Sequence, residues 1–324
     1  MYTFNELSER VNKIIRELDI PETPVELYEP IRYILNLGGK RIRPVLTLMT
    51  TNLFRDNIED ALAPAISIEL FHNFTLIHDD IMDHAVLRRN HSTVHTQWNV
   101  NIGILSGDAL SIYAYRYLLK APHDRLYQLL KIFNDTALKV CEGQQLDMNY
   151  ENIPEITIDD YLTMIELKTA VLLAGAMKIG GIIAGATEEQ TNHLYECGRY
   201  LGLAFQIQDD FLDTYGDTET FGKTIGGDIL SNKKTFLPVY TLGHLPEARK
   251  KEMLEILNAP ITNDREYIST IKNFYDSVNI PEITKNIITD YFRKGMNELA
   301  KTEVSIERRK LLEELITNLI SRTK

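Results

Sequence analysis

A chain of 324 residues is long enough for one large domain or two, and 44% hydrophobic residues supply a sizeable core, which excludes a disordered protein. A formal net charge of −11 argues against nucleic acid or anionic membrane as a partner, and makes any local basic cluster more telling. Two cysteines, Cys141 and Cys197, offer neither a disulfide framework nor zinc-ligand spacing, which fits a reducing, cytoplasmic setting. The first 18 residues are amphipathic with mixed charge and lack the basic start and apolar core of a signal peptide. No uninterrupted apolar stretch reaches about 18 residues, so no membrane span is expected.

Helical periodicity recurs along nearly the whole chain, and runs of alternating β-branched residues bounded by turns are absent, so the fold class is all-α. A helix over 26–37 stops at Gly38-Gly39. The next, 43–53, tolerates Pro44 in its first turn. A long apolar helix over 61–84 is followed by 102–119 and 126–146. The stretch 159–185 is helical with an interruption at Gly180-Gly181. Thr187-Glu188-Glu189-Gln190 is a capping box, and it opens a helix running to about residue 212. Shorter helices with lysine-rich and acidic faces fill the C-terminal third. No low-complexity segment or Pro/Gly/Ser-rich linker divides the chain, so residues 1–324 are expected to form a single domain.

Two acidic clusters carry the chemistry. Asp79-Asp80-Ile81-Met82-Asp83 and Asp209-Asp210-Phe211-Leu212-Asp213 share the form DDxxD, and each ends an apolar helix. Positions i and i+4 lie on one helix face, so Asp79 stands over Asp83 and Asp209 over Asp213. Bare carboxylates ~6 Å apart repel by roughly 3 kcal/mol at an effective dielectric near 20. A cation relieves that repulsion, and Mg²⁺ is bound by one or two carboxylates together with substrate phosphates. A solvated acidic helix end is the plainer alternative; its occurring twice in identical form argues for metal. If the two long apolar helices face each other, the clusters meet at the mouth of a shared apolar cavity.

Basic residues complete the picture. Gly38-Gly39-Lys40-Arg41-Ile42-Arg43-Pro44 can present two cations and backbone N–H groups to a phosphate. Arg88-Arg89 follow the first cluster, and guanidinium forks bind phosphate bidentately. Lys223, Asp228, Lys233 and Lys234 follow the second. Gly222-Lys223-Thr224 is not a nucleotide P-loop: Gly216 to Gly222 encloses five residues where that motif needs four, and the segment follows a helix. Glu69-x-x-His72 is half of a di-iron bundle motif without its other half. His72, seven residues before Asp79, is placed to reach a second anionic group.

Taken in order, GGKRIRP, HDDIMD with its Arg pair, LKTA, FQIQDDFLD and GKTIGGDILSNKKT strongly resemble the trans-isoprenyl diphosphate synthases (the polyprenyl synthetase family), across most of the chain. The resemblance implies a large helical bundle around a central cavity, and a homodimer. It implies three Mg²⁺ ions, with Mn²⁺ able to substitute, gripping the diphosphate of an allylic substrate. Asp79 and Asp83 would be ligands of two ions and Asp209 of the third. Asp80, Asp210 and Asp213 would support through hydrogen bonds and metal-bound water. Arg88, Lys168 and Lys223 would contact the allylic diphosphate. Lys40, Arg43, His72 and Arg89 would hold isopentenyl diphosphate. Thr169 and Gln206 would lie beside the developing cation, and Asp228 and Lys233 match a loop that closes over the site. A basic C-terminal tail is matched only loosely, by Arg322 and Lys324.

Product length in such enzymes depends on the floor of the cavity. Phe74, five residues before the first motif, resembles the aromatic stop of short-chain synthases that make a C20 product. Thr75 is small, and helical geometry allows Phe71 to share the stopping role. Geranylgeranyl diphosphate is therefore the expected product, with farnesyl diphosphate or a longer chain as alternatives. A terpene cyclase would need no second diphosphate site, and a non-catalytic synthase subunit tends to lose one acidic motif; this chain keeps both features.

Overall fold

A computed structural model describes residues 1–216 and 226–320. They fold almost entirely into helices, in two compact units. The first comprises Met1–Thr136, Leu172–Tyr195 and Leu299–Leu315; the second comprises Ala137–Val171, Glu196–Glu298 and the chain from Ile316 onward.

In the first unit, helix α1 (Phe4–Arg16) starts on a capping box: Thr3 Oγ1 accepts from the Glu6 N–H while the Glu6 carboxylate accepts from Thr3 N–H. Its stripe Leu7, Val11 and Ile15 is buried, as the i, i+4, i+8 spacing requires. Helix α2 (Val25–Asn36) ends just before the glycine pair, and α3 (Ile42–Phe54) is buried continuously from Pro44 to Leu53. Helix α4 (Glu59–Met82) carries the first acidic cluster at its C-terminal end. After it, Leu87–Arg88 and His91–Ser92 form a two-residue antiparallel ladder. Arg89 and Asn90 both take positive φ (54° and 62°), the conformation of a tight two-residue hairpin. The short helix α5 (Val94–Gln97) leads into α6 (Val100–Leu118). Helices α4 and α6 pack closely because Gly107 leaves room for His78: a Cβ there would stand 2.4 Å from the imidazole Nε2.

Gly180-Gly181 does not interrupt a helix. Helix α9 (Val171–Ala184) runs straight through the pair. The reason is packing against α3: a Cβ on Gly180 would meet Thr50 Oγ1 at 2.0 Å and Thr47 O at 2.3 Å, and Thr51 Oγ1 donates to Gly180 O at 3.0 Å. The interruption instead falls at Glu166–Ala170. There, after α8 (Ile158–Ile165), the chain makes one wider π-turn in which the Val171 N–H reaches back to Glu166 O. The continuous helical stretch Ile158–Ala184 is long and apolar enough to cross a membrane by length and composition, yet its most apolar part is mostly buried within the protein, as in a core helix.

In the second unit, helix α7 (Leu126–Glu151) contributes its C-terminal half, next to α8 and the π-turn. The capping box at Thr187 forms as expected and opens α10 (Glu188–Tyr215), whose second half carries the second acidic cluster. Beyond it lie the short helix Gly227–Leu230 and the helices Phe236–His244, Glu247–Leu257, Asp264–Ser277 and Ile280–Ala300.

Candidate active site

The two acidic clusters share one internal pattern. Asp79 is partly exposed (21%), whereas Asp80 beside it is buried (1%). Asp80 Oδ1 accepts from Arg88 Nε at 2.8 Å and Nη2 at 2.5 Å, while the same Nη2 stands 3.6 Å from Asp79 Oδ2. Burial raises the Asp80 carboxyl above its ordinary range despite the guanidinium. In the second cluster Asp209 is again partly exposed and Asp210 again buried. Asp210 accepts from Tyr161 Oη at 2.6 Å, Gln206 Nε2 at 2.9 Å and the Phe236 N–H at 3.1 Å. Burial raises its carboxyl too, and burial together with Asp210 drives the Tyr161 phenol well up. The fifth positions differ. Asp83 is partly exposed, while Asp213 is buried and accepts from the Asp228 N–H at 2.9 Å.

The clusters therefore present carboxylates of two kinds: Asp79, Asp83 and Asp209 at the surface, and Asp80, Asp210 and Asp213 anchored inward. Among the described residues no three His, Cys, Asp or Glu side chains already surround a cation position. The donor set nonetheless suits a hard divalent ion, which takes oxygen ligands and uses one or two carboxylates with phosphate oxygens and water. One carboxylate oxygen, Asp80 Oδ2, is buried without a hydrogen-bond partner, an acceptor in reserve beside Asp79.

Around the first cluster the basic residues gather. Arg43 Nη1 lies 3.2 Å from His72 Nε2, so the imidazole accepts from the guanidinium. Burial lowers the His72 pKa well below its usual value, and Arg43, Arg89, Arg88 and Arg41 lower it further. Arg89 donates to Gly38 O and so joins the hairpin to the glycine turn that carries Lys40. Arg41, between Lys40 and Arg43, takes a different part. It is buried, left-handed (φ 49°), ion-paired to Glu69 at 2.5 Å, and bonded to Asn12 and to Leu35 O. Asn73 also donates to Glu69. Glu69 is thus a structural partner of the basic turn.

The expected floor residues form an aromatic cluster in the first unit. Phe71 is buried and lies 5.3 Å from Phe74 and 5.4 Å from Phe133 between ring centroids. Phe74 is partly exposed and meets the His78 ring edge-on at 4.8 Å. The Thr75 hydroxyl turns back to His72 O at 2.8 Å.

In the second unit, Thr169 Oγ1 donates to Gln206 Oε1 at 3.0 Å, so Gln206 links Thr169 to Asp210. Lys168 Nζ is 2.6 Å from Asp147 Oδ2. Lys233 N–H donates to Asp228 O, tying that turn to Asp213. Lys223, Arg322 and Lys324 lie outside the described residues. Sequence reading missed Arg41, Tyr161, His78 and Asp147; the C-terminal Asp of Gly143-Gln144-Gln145-Leu146-Asp147, one turn after a helix-interior glycine, was the available signal for the last.

The chain is thus an almost wholly helical protein that carries two matching carboxylate clusters on helices, the first of them close to the guanidinium groups of Arg43, Arg88 and Arg89. Residues 24–276 match the polyprenyl synthetase family model. The chain is 40% identical over 298 residues to the short chain isoprenyl diphosphate synthase of Methanocaldococcus jannaschii, covering 92% of this chain and 89% of that one. It is 35% identical to the geranylgeranyl diphosphate synthase of Methanosarcina mazei, covering 90% and 89%. Its fold superposes on a crystal structure of geranylgeranyl pyrophosphate synthase with a TM-score of 0.95 and 41% identity, covering 100% of each chain. The chain belongs to the polyprenyl synthetase family and is a prenyltransferase.

Proposed function

We propose that the chain condenses isopentenyl diphosphate with an allylic diphosphate, head to tail (1′-4), to give a short-chain all-trans prenyl diphosphate, most readily the C20 geranylgeranyl diphosphate. The observation that carries this reading is the shared pattern of the two clusters: an outward carboxylate beside an inward, hydrogen-bonded one, twice. Asp79, Asp83 and Asp209 would hold divalent ions, Mg²⁺ with Mn²⁺ as substitute, three in all. When bound, such ions neutralise the charge that develops on the departing diphosphate.

The chain's own residues do the rest. Arg88, Lys168 and Lys223 receive the allylic diphosphate and stabilise its negative charge as the C1–O bond breaks. Thr169 and Gln206 turn oxygen dipoles toward the allylic cation. Lys40, Arg43, His72 and Arg89 hold the second diphosphate so that the isopentenyl double bond lies in reach of C1. The new C–C bond forms, the proton leaves from C2 of the isopentenyl unit, and the departed diphosphate is the base.

Phe74 would set the floor, with Phe71 and Phe133 packed behind it. We read 1–324 as one cytoplasmic catalytic domain, since the family match spans residues of both compact units. We also read it as a homodimer: helix α6 exposes Leu105 (59%) and Ile112 (61%), and Leu119 (56%) follows, at seven-residue spacing along one face.

The test is incubation of the purified protein with Mg²⁺, isopentenyl diphosphate and each of dimethylallyl, geranyl and farnesyl diphosphate, with product length read by mass spectrometry. A C20 product is expected, and Phe74→Ala should lengthen it. A C15 product moves the floor toward the metals, and C30 or longer refutes the aromatic stop. No condensation with any starter by a folded protein overturns the enzyme reading.

A further inference from the structure

The π-turn Glu166–Ala170 is gripped from two sides by the same device. On α7, a Cβ at Gly143 would stand 2.2 Å from the Lys168 backbone nitrogen and 2.6 Å from Lys168 Cα. On α10, a Cβ at Gly202 would stand 2.4 Å from Ala170 Cα. Both distances are to backbone, so only glycine lets these helices approach so near. One turn beyond each glycine, on the same helix face, a polar side chain takes hold of a π-turn side chain. Asp147 meets Lys168 Nζ at 2.6 Å, and Gln206 meets Thr169 Oγ1 at 3.0 Å. A third tie, Arg199 Nη1 to Glu166 Oε2 at 2.8 Å, fixes where the turn begins.

A π-turn inserts one residue into the helical ladder and so rotates the following face by about 100°. Left alone it would relax to a regular α-helix, and Lys168 and Thr169 would turn with it. We propose that Gly143 with Asp147, and Gly202 with Gln206, form a two-sided clamp that maintains the π-turn, and that Asp147 is the positioning residue for the Lys168 ammonium. This rests on the proposed condensation, in which Lys168 receives the allylic diphosphate. Asp147 is itself anionic and repels a diphosphate, so its contribution is not to ground-state binding. It holds the ammonium where charge accumulates as the C–O bond breaks, which shows in kcat.

Asp147→Asn keeps the Lys168 charge and the side-chain size, and both partners are only partly buried, so the variant should fold. Its kcat is expected to fall about tenfold, with the KM for each substrate and the Mg²⁺ concentration for half-activation unchanged within about twofold. Asp147→Glu should recover most of the loss. A raised half-activating Mg²⁺ concentration would make Asp147 a metal ligand and overturn the proposal; so would an unchanged kcat. Amide hydrogen exchange across 166–170, read by mass spectrometry without substrate, should quicken at least about tenfold in Asp147→Asn and Gly202→Ala. Unchanged exchange removes the clamp. Should the wild-type protein fail to condense any substrate pair, the enzyme reading falls, and the exchange rates still decide the clamp.

Discussion

At the scale of the residue, neighbouring aspartates in one motif stand in opposite surroundings, one partly exposed and one buried. Asp79→Ala and Asp209→Ala remove outward carboxylates and should lower kcat on the order of 10²–10³-fold with little change in stability. Asp210→Ala strands the Tyr161 hydroxyl and the Phe236 N–H in the core, and should cost about 3 kcal/mol of stability as well as activity. Urea unfolding beside steady-state kinetics separates the two; equal stability in all three variants would contradict the division. The i, i+4 spacing made both motifs legible, because it depends only on the helix. Tyr161, 49 residues before Asp210, and a backbone N–H at Phe236 leave no local mark in sequence. The three cations of GGKRIRP also look alike until the fold buries Arg41 against Glu69.

His72 gives a pH dependence with a defined sign. Its folded pKa is depressed by burial and by the surrounding guanidinium groups, so it stays neutral while the unfolded chain takes up a proton below about pH 6.5. The unfolded state then binds more protons, and stability is lost as pH falls below about 6.5, by at most about 1.4 kcal/mol per pH unit until the folded pKa is reached. Thermal unfolding between pH 7 and 5.5 should show that slope in the wild type and a shallower one in His72→Gln. Parallel profiles would mean that His72 does not carry it.

At the scale of the element, helices were readable because apolar spacing survives any tertiary arrangement. The π-turn was not, because a one-residue insertion barely disturbs that spacing. Gly180-Gly181 shows the complementary difficulty: a helical glycine marks either an ending or a close approach, and only the partner helix decides which. Here the partner is α3. Gly180→Ala would press a methyl group into Thr47 O and Thr50 Oγ1, at a cost of about 1–3 kcal/mol. The midpoint of urea unfolding should drop with the slope unchanged; an unchanged midpoint would mean that α3 and α9 separate freely.

At the scale of the whole molecule, helical periodicity pointed to the all-α class and five motif blocks in order to the isoprenyl synthase family, while any self-association depends on surfaces that no motif marks. Leu105→Glu with Ile112→Lys should leave the helix content intact and convert a dimer to a monomer by light scattering; a mass unaffected by these charges would place the interface elsewhere. Helix α6 has two faces, one closed on α4 around Gly107 and His78, the other carrying these exposed leucine and isoleucine side chains. A helix so placed braces the first aspartate cluster from behind, and under the proposed homodimer its outer face would meet a second copy. Catalysis would then obey mass action in the enzyme itself: specific activity would fall on dilution below the dimer dissociation constant and return on concentrating the protein.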